Sequence, residues 1–322
     1  MTPERFEQIS SGGWVRFADR TIYRVTGEDR VRYLSGQLSN AVAKASKETV
    51  YACVLDVKGR LQGELFLHEG NGFHLIDAPA VLREPLAARL DRYLVADDVL
   101  IESAEDDWVL LHRFDPDSEA ASTALDAALP EGSISRPADR LGAPGLDLLL
   151  PSTQADEWLA SSAAAEAGLS LAELLDDEEA AIVALLRGRP IWNAGLEEGR
   201  LLPEAGIEDR AVDYHKGCYV GQEVVSRIRS AGKINWTLRP LSAELSGLAS
   251  SPPAPGSALF DQENEGKEVG RVAACIRHPC LDRFSALAYV RSSVDDDQAL
   301  FLSISGEENK LVFTAPSPKT PH

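Results

Sequence analysis

The chain has 322 residues, of which 44% are hydrophobic and 26% charged, the balance of a soluble globular protein. Its formal net charge of −19 repels phosphates, which argues against broad, non-specific binding to nucleic acids. No run approaches the ~18 apolar residues of a membrane span, and residues 1–10 lack the features of a signal peptide. Because the four cysteines are sparse and no disulfide framework is expected, we predict a cytoplasmic protein.

The first hundred residues alternate between strand and helix patterns. Runs of β-branched and aromatic residues predict strands at Thr21–Val25 and Val50–Leu55. Residues 59–67 and 73–76 predict a hairpin, because Gly70-Asn71-Gly72 between them tolerates positive φ. An apolar stripe at helical spacing then predicts a helix that packs on this sheet. Its members are Leu82, Leu86, Leu90 and Leu94.

The next stretch repeats this mixed pattern. Trp108–Phe114 and Leu146–Leu150 predict strands, and helical periodicity predicts helices at 119–129, 156–168 and 171–187. Two mixed units in succession indicate one pseudo-repeated architecture, although no clean internal repeat is visible.

Beyond Arg239 the pattern changes to short strands without long helices between them, which predicts a small antiparallel β-barrel or sandwich. The strand runs are 258–260, 269–276, 286–290, 300–304 and 311–313. We therefore predict an α+β fold with mixed subdomains at roughly 1–100 and 101–185, a linking segment at 186–238, a barrel at 239–315 and a frayed tail at 316–322.

A cysteine between two glycines marks the segment Lys216–Glu223, which reads Lys-Gly-Cys-Tyr-Val-Gly-Gln-Glu. Lys216 precedes Cys218 by two residues and Arg227 follows it by nine, and a nearby cation favours the reactive thiolate. His215 is a conceivable activating base, but dyad partners are usually distant in sequence, so we rank it as a groove residue. The competing interpretation is a turn in which Cys218 is a small buried apolar residue.

The segment 216–239 is basic within an acidic chain. It holds five cations and one anion, which gives it a charge of +4, whereas the whole chain has a net charge of −19. Such an island indicates a site for a small anionic ligand or a local phosphate contact, or else an ordinary solvated face. Within it, 221–229 favours a helix whose first N–H groups would lie near the thiol. The buried side of this helix would carry Val224, Val225 and Ile228.

Several common site types are absent from the sequence: the dinucleotide-binding and phosphate-binding glycine motifs, the zinc-protease motif and the hydrolase nucleophile motif. Cys275 and Cys280 lack the additional Cys or His ligands of a zinc site, so we predict no metal site. Cys53 and Cys275 are expected in the core and Cys280 in a turn.

The octapeptide, together with Arg227, resembles the signature of YgfZ-type folate-binding proteins. These are relatives of the glycine-cleavage T-protein, an aminomethyltransferase, and of a mitochondrial iron–sulfur assembly factor. Other matching segments extend the resemblance along nearly the whole chain. They are 27–30, 33–40, 56–60, 202–206, 232–235 and 269–272.

The resemblance implies a T-protein-like folate-binding ring at 1–238, formed by two ferredoxin-like α/β subdomains, with a C-terminal antiparallel β-barrel and tetrahydrofolate in the central channel. It implies an accessory role in assembling or repairing iron–sulfur clusters in client enzymes, including tRNA-modifying ones. Cys218 would be the functional thiol, flanked by Lys216 and Arg227. The implied cofactor-binding residues are Asn40, Glu204, Tyr219, Gln222, Arg229 and Lys233.

The sequence also departs from the T-protein pattern. Gly63 and Glu64 stand where the T-protein has an acidic pair that orients folate, and Leu186 replaces a glutamate that would bond the pterin ring. Ala41 and Trp236 replace the usual Asp and Arg. The first two departures argue against aminomethyl transfer, which stays as an alternative, and the loss at Leu186 also weakens the expectation of pterin binding. A third possibility is a scaffold that no longer binds folate.

Overall fold

A computed structural model describes residues 1–10, 12–114, 125–166, 169–245, 251–262, 266–303 and 310–316. Helices and sheets are mixed along the chain, which confirms the predicted α+β class.

The strands are β1 (Gly13–Phe17), β2 (Arg20–Thr26), β3 (Val50–Leu55), β4 (Leu61–Glu69), β5 (His74–Pro79), β6 (Leu100–Ser103), β7 (Trp108–Phe114), β8 (Ile134–Ala138), β9 (Gly145–Pro151), β10 (Ile191–Trp192), β11 (Gly195–Leu196), β12 (Trp236–Glu244), β13 (Ala258–Phe260), β14 (Glu268–Arg277), β15 (Arg283–Arg291), β16 (Leu300–Ser303) and β17 (Lys310–Phe313). The α-helices are α1 (Pro3–Ile9), α2 (Arg30–Gln37), α3 (Arg83–Asp91), α4 (Ser152–Leu159), α5 (Ser162–Glu166), α6 (Asp177–Leu186), α7 (Glu208–Ala211) and α8 (Gln222–Ala231). None of the described helices is long and apolar enough to cross a membrane.

The first sheet has five antiparallel strands in the order β3-β4-β5-β2-β6. Helices α2 and α3 cover one face of it, and the predicted apolar stripe is confirmed because Leu82, Leu86 and Leu90 are buried there. Leu65 and Leu67 of β4 point to this same core. Side chains alternate along a strand, so the intervening residues of β4 face the other side.

The second sheet has four antiparallel strands in the order β1-β7-β9-β8. Its first strand comes from the N-terminus, so the sheets do not follow the predicted division at residue 100. β1 and its partner β7 are about a hundred residues apart in the chain. Such a long-range pairing produces no local sequence pattern, so it was not predicted.

Two predicted helices have different bounds in the structure. The stretch 156–168 is broken into α4 and α5, and 167–168 lie outside the described residues. The stretch 171–187 becomes helical only at α6, because Leu175 is bonded to β1 and the Asp176 side chain then caps the helix at the N–H of Glu179. The helix predicted at 119–129 falls largely outside the described residues.

The C-terminal region confirms the predicted barrel. Six antiparallel strands follow the order β12-β15-β14-β13-β16-β17, and a bridge between Ser242 and Thr314 nearly closes them. The interior is filled by apolar side chains, among which Phe284 and Phe313 are fully buried.

Arg140, just after β8, joins the two α+β sheets. Its Nε donates to Asp147 of β9 at 2.7 Å and its Nη2 donates to Asp77 of β5 at 2.6 Å. Arg20 also donates to Asp77, and all of Asp77, Asp147 and Arg140 are at most 4% exposed. Burial alone would raise the pKa of both carboxyls, but Arg140 outweighs it and holds each pKa well below its usual range. The two sheets are thus tied by a largely buried ion pair network.

We expect Arg140→Met to lower the unfolding free energy by about 3–5 kcal/mol, because two buried carboxylates lose their shared counter-charge. Urea unfolding at pH 7 measures the loss. Arg16→Met is the matched control, since Arg16 pairs with the exposed Asp156 at 4.0 Å and such surface pairs contribute at most about 1 kcal/mol. Equal losses in the two variants would contradict the role given to Arg140.

The same comparison has a pH dependence of known sign. The folded-state pKa of Asp77 and of Asp147 lies below the unfolded value of about 3.9. Their stabilisation is therefore complete above pH ~4 and is lost as the pH falls below that value. The difference in stability between wild type and Arg140→Met should shrink in acid.

Candidate functional site

A cavity of about 410 Å³ opens between the first sheet, the second sheet and the segment that follows α6. We call it the first cavity. Aromatic side chains form much of its wall: Phe17, Tyr51, Phe66 and Trp192. This volume and this apolar lining are typical of small-molecule sites.

Glu64 is the buried acid of the first cavity. It lies on β4 between Gly63 and Leu65, whose positions face the helix side, so alternation points its carboxylate into the cavity. Its Oε2 accepts from the Tyr51 hydroxyl at 2.6 Å, and its Oε1 accepts from the backbone N–H of Trp192 at 2.6 Å. Each oxygen keeps capacity for a further donor. Burial raises the pKa of Glu64, and the Tyr51 bond and Arg20 only partly offset it.

Charge is unevenly distributed around the first cavity. Arg20 and Arg140 line it, but both are neutralised by the buried network. Three carboxylates also line it, and they belong to Asp19, Asp177 and Glu178. The backbone N–H of Asp19 donates to Asp177, which holds these two residues together.

A second cavity of about 400 Å³ shares three wall residues with the first: Tyr51, Phe66 and Arg210. Asn40 and Lys44 also line it. The Asn40 amide donates to the carbonyls of Tyr51 and Arg210 at 2.9 and 2.8 Å, so it braces this wall.

The Cys218 motif is a loop held against the end of α2. Lys216 Nζ donates to the carbonyls of Ser35 and Leu38, each at 2.6 Å, and the N–H of Val220 donates to the Gly36 carbonyl. These carbonyls belong to the helix end, where a cation is favoured. Burial lowers the pKa of Lys216 to about 8. The lysine that the sequence assigns to thiolate activation therefore also anchors the loop.

The second glycine of the motif is required by space and by backbone angle. Gly221 has φ +86°, and a Cβ there would lie 2.5 Å from the carbonyl oxygen of Asp56. The loop consequently packs on the β3–β4 turn before α8 begins. In α8, Val225 is fully buried, whereas Val224 and Ile228 are half-buried.

Cys218 is exposed, so the interpretation that treats it as a buried apolar residue is wrong. Its neighbour Tyr219 is 7% exposed and packs with Cys53 and Leu61. The Tyr219 hydroxyl has no hydrogen-bond partner among the described residues. As expected, Cys53 is buried in the core.

The remaining predicted site residues are dispersed or already paired. Arg227 pairs with Glu223 one turn away on the exposed side of α8, and Arg229 stacks on the Tyr214 ring at 3.7 Å. Glu204 is buried in a short 3₁₀ turn. Gln222 begins α8, and Lys233 is exposed. Much of the basic island is thus engaged within the protein.

The structure places Lys216, Cys218 and Tyr219 on the loop before α8, Gln222 at the first residue of that helix, and Asn40 in the wall of the second cavity. None of the nine predicted site residues lines the first cavity within the described chain. The sequence prediction missed Arg210 and took Glu64 only as a departure. A signal for Glu64 was available, because it is the one acid within the predicted strand run 59–67 and stands between Gly63 and Leu65.

Leu186 does not face the first cavity. It lines a small groove against the barrel with Pro240 and Leu241. A leucine at this position therefore removes no carboxylate from the wall of the first cavity. The buried carboxylate of that wall belongs to Glu64.

Comparison with known proteins agrees with this architecture. No family model matches the chain. The tRNA-modifying protein YgfZ of Shigella boydii is 28% identical over 270 residues, which cover 80% of this chain and 79% of that protein. The YgfZ proteins of Escherichia coli O157:H7 and Yersinia pestis are also 28% identical, over 80% of this chain and 79% and 78% of their own lengths. The chain is similar to these YgfZ proteins over most of its length.

Among solved structures, the glycine cleavage aminomethyltransferase T from Bartonella henselae superposes with a TM-score of 0.75. It covers 98% of this chain and 88% of its own chain at 18% sequence identity. The chain therefore has the T-protein fold, and the predicted resemblance is confirmed. In the described part of the chain, no three His, Cys, Asp or Glu side chains are grouped to hold a metal ion.

We expect Lys216→Met to lower the unfolding free energy at pH 7 by about 1–2 kcal/mol, because two carbonyls at the end of α2 lose a charged donor. Urea unfolding measures the change. Lys58→Met is the control, since Lys58 is exposed on the neighbouring turn and should change stability by less than about 0.5 kcal/mol. Equal stability of the Lys216 variant and wild type would exclude the anchoring role.

Lys216 also predicts a pH effect. Its pKa is 10.5 in the unfolded chain and about 8 in the folded one. Between these values the unfolded state binds more protons, so stability rises with pH. The stability of wild type relative to Lys216→Met should increase from pH 8 to pH 10.

Proposed function

We propose that the protein binds tetrahydrofolate in the first cavity and acts as an accessory protein in the assembly or repair of iron–sulfur clusters in client enzymes. The observation that carries the folate assignment is the buried Glu64 carboxylate within an aromatic cavity of about 410 Å³. We place this function in the cytoplasm, with neither a membrane nor an extended nucleic-acid surface as a partner.

The residues of the first cavity fit a reduced pterin. A pterin is flat and presents several N–H donors on one edge. Phe17, Phe66 and Trp192 line the cavity and offer apolar contacts for such a ring, and Glu64 has one unused acceptor site on each oxygen. Tyr51 and the Trp192 N–H fix the orientation of that carboxylate before a ligand arrives. Tetrahydrofolate would supply a reduced ring that can carry a one-carbon unit.

The relatives are named tRNA-modifying proteins, and we extend that role to this chain through clients that modify tRNA. Cys218 is exposed on a loop that lies apart from the cavity walls. We assign it to contact with a client protein rather than to chemistry on the folate. Lys216 fixes the loop that presents this thiol, and Arg227 stands on the exposed face of α8 nearby.

Aminomethyl transfer is a weaker candidate. Of the acidic pair in the T-protein pattern, only Glu64 is an acid here, and a Cβ at Gly63 would touch Leu82 and Val54 in the apolar core. A second carboxylate at that position would not face the cavity. The cavity is therefore better suited to binding tetrahydrofolate than to catalysing aminomethyl transfer.

Calorimetric titration with tetrahydrofolate tests the cavity assignment. We expect binding to wild type and at least about tenfold weaker binding to Glu64→Gln, because the amide offers one acceptor oxygen instead of two. Glu204→Gln is the matched control, since Glu204 is a buried glutamate outside both cavities and its change should leave the affinity unaltered. Absence of binding to wild type would favour a scaffold without folate. Weaker binding to Glu204→Gln, with unchanged binding to Glu64→Gln, would instead assign the folate site to Glu204.

Complementation tests the role of the thiol. In a strain that lacks the native protein, we expect Cys218→Ala to restore less than a tenth of the activity of iron–sulfur tRNA-modifying enzymes. Cys280→Ala is the control, because Cys280 is also an exposed free thiol. Full restoration by Cys218→Ala would remove the thiol from the proposed function.

A further inference from the structure

A groove of about 80 Å³ lies between the end of α6 and the outer face of the barrel. We call it the junction groove. Arg187, the residue after α6, lines one side of it, and Ser242 of β12 lines the other side together with Arg283 and Ser285 of β15. Phe284 fills the barrel interior, so alternation along β15 directs Arg283 and Ser285 outward, toward the groove.

Neither guanidinium of the junction groove forms an ion pair or a hydrogen bond in the described chain. Arg187 Nη1 and Arg283 Nε are, in addition, shielded from water. Arg187 stacks on the ring of Phe114 at 5.1 Å, and the nearby Asp139 is held by Arg189. The last carbonyls of α6 already accept backbone N–H groups, so Arg187 is not needed to cap the helix. Both guanidinium groups have thus lost part of their hydration without gaining an acceptor, which is unfavourable.

The other polar side chains of the junction groove are hydroxyls. Ser242 and Ser285 stand opposite each other in the β12–β15 ladder, and neither hydroxyl is hydrogen-bonded within the described residues. No acid is among the described residues that line the groove. Glu244 lies opposite Arg283 in the same ladder, but its side chain is exposed and the two form no ion pair. The groove therefore presents two positive charges and two hydroxyl donors without a negative charge.

The size of the junction groove limits its ligand to a small group. Its volume of about 80 Å³ lies well below the ~300 Å³ at which sites for drug-sized ligands begin, whereas a cavity of about 10–15 Å³ already holds one water. The fixed N–H geometry of arginine matches the paired oxygens of an oxyanion, and serine hydroxyls add further donors. These donors and this volume fit a phosphate group and exclude a whole folate.

We propose that the junction groove binds a phosphate-type oxyanion between Arg187 and Arg283, with Ser242 and Ser285 as additional donors. The groove is separate from both cavities, so this site does not depend on folate binding. Because the anion contacts the end of α6 and the barrel at once, its binding stabilises the packing of the barrel against the rest of the chain. Free phosphate and the phosphate group of a small monoester share this chemistry.

Calorimetry and thermal unfolding test the site with inorganic phosphate and with glycerol 3-phosphate, and potassium chloride at equal ionic strength is the reference. Wild type should bind one phosphate group per chain, and its melting temperature should rise with the concentration of that ligand. In Arg187→Met and in Arg283→Met the affinity should fall at least about tenfold, because a charged donor is lost. Arg291→Met is the control. Arg291 also lies on β15, but it stacks on Trp236 at 4.0 Å and does not line the groove, so its change should leave the affinity unaltered.

A substitution that adds a charge gives a second test, which does not require the arginine variants to fold. Ser285→Asp places a carboxylate beside the two guanidinium groups. We expect it to raise the melting temperature without ligand and to abolish the response to phosphate, because the added carboxylate occupies the place of the anion. Ser285→Asn is the matched control, since it has nearly the same size and no charge.

Each outcome bears on the site. Binding of glycerol 3-phosphate without binding of free phosphate would support the site and identify a monoester as its ligand. Absence of binding of either probe to wild type would overturn the site, as would equal affinities in wild type and both arginine variants. A lower melting temperature for Ser285→Asp than for Ser285→Asn would contradict the unneutralised positive charge on which the site rests.

Discussion

The cavity walls depend on the buried pairing of Arg140 with Asp77 and Asp147. Asp77 belongs to the first sheet and Asp147 to the second, so one guanidinium bridges the two sheets, beside the apolar cluster that packs between them. The same guanidinium lies 3.9 Å from the ring of Phe66, which lines both cavities. A water-filled gap at this junction would leave the aromatic wall without support. The ion pair network therefore has a structural role directly behind the proposed ligand.

Alternation along β4 determines the chemistry of that wall. Leu65 and Leu67 face the helices, whereas Glu64 and Phe66 face the cavity. A shift of one residue in strand register would exchange the two sets. It would bury a carboxylate among Leu86 and its neighbours, which the apolar core cannot accommodate. The hydrophobic effect on the helix side thus selects the register that presents Glu64.

Local patterns in the sequence predicted the elements with clear periodicity and missed those that depend on distant partners. β3 and β7 have the predicted bounds, since β3 is a continuous apolar run and β7 begins with four apolar residues. The membership of β1 in the second sheet was not predictable, because its partner β7 lies about a hundred residues away. The motif around Cys218 was found from its glycines. Arg210 was not, because one arginine on a four-residue helix has no distinguishing local signal.

The cavity and the exposed thiol are joined by one rigid strand. Tyr51, near the start of β3, lines both cavities, while Leu55 at its end lies against Gly221 of the motif. Four residues of strand separate these points, which corresponds to about 13 Å. Cys218 lines neither cavity, so an influence of the proposed ligand on the thiol would pass through β3 and the packing of Tyr219 beside it. The cavity and the exposed thiol are thus separate features of the fold, which is compatible with the proposed binding of a small molecule at one and of a client protein at the other.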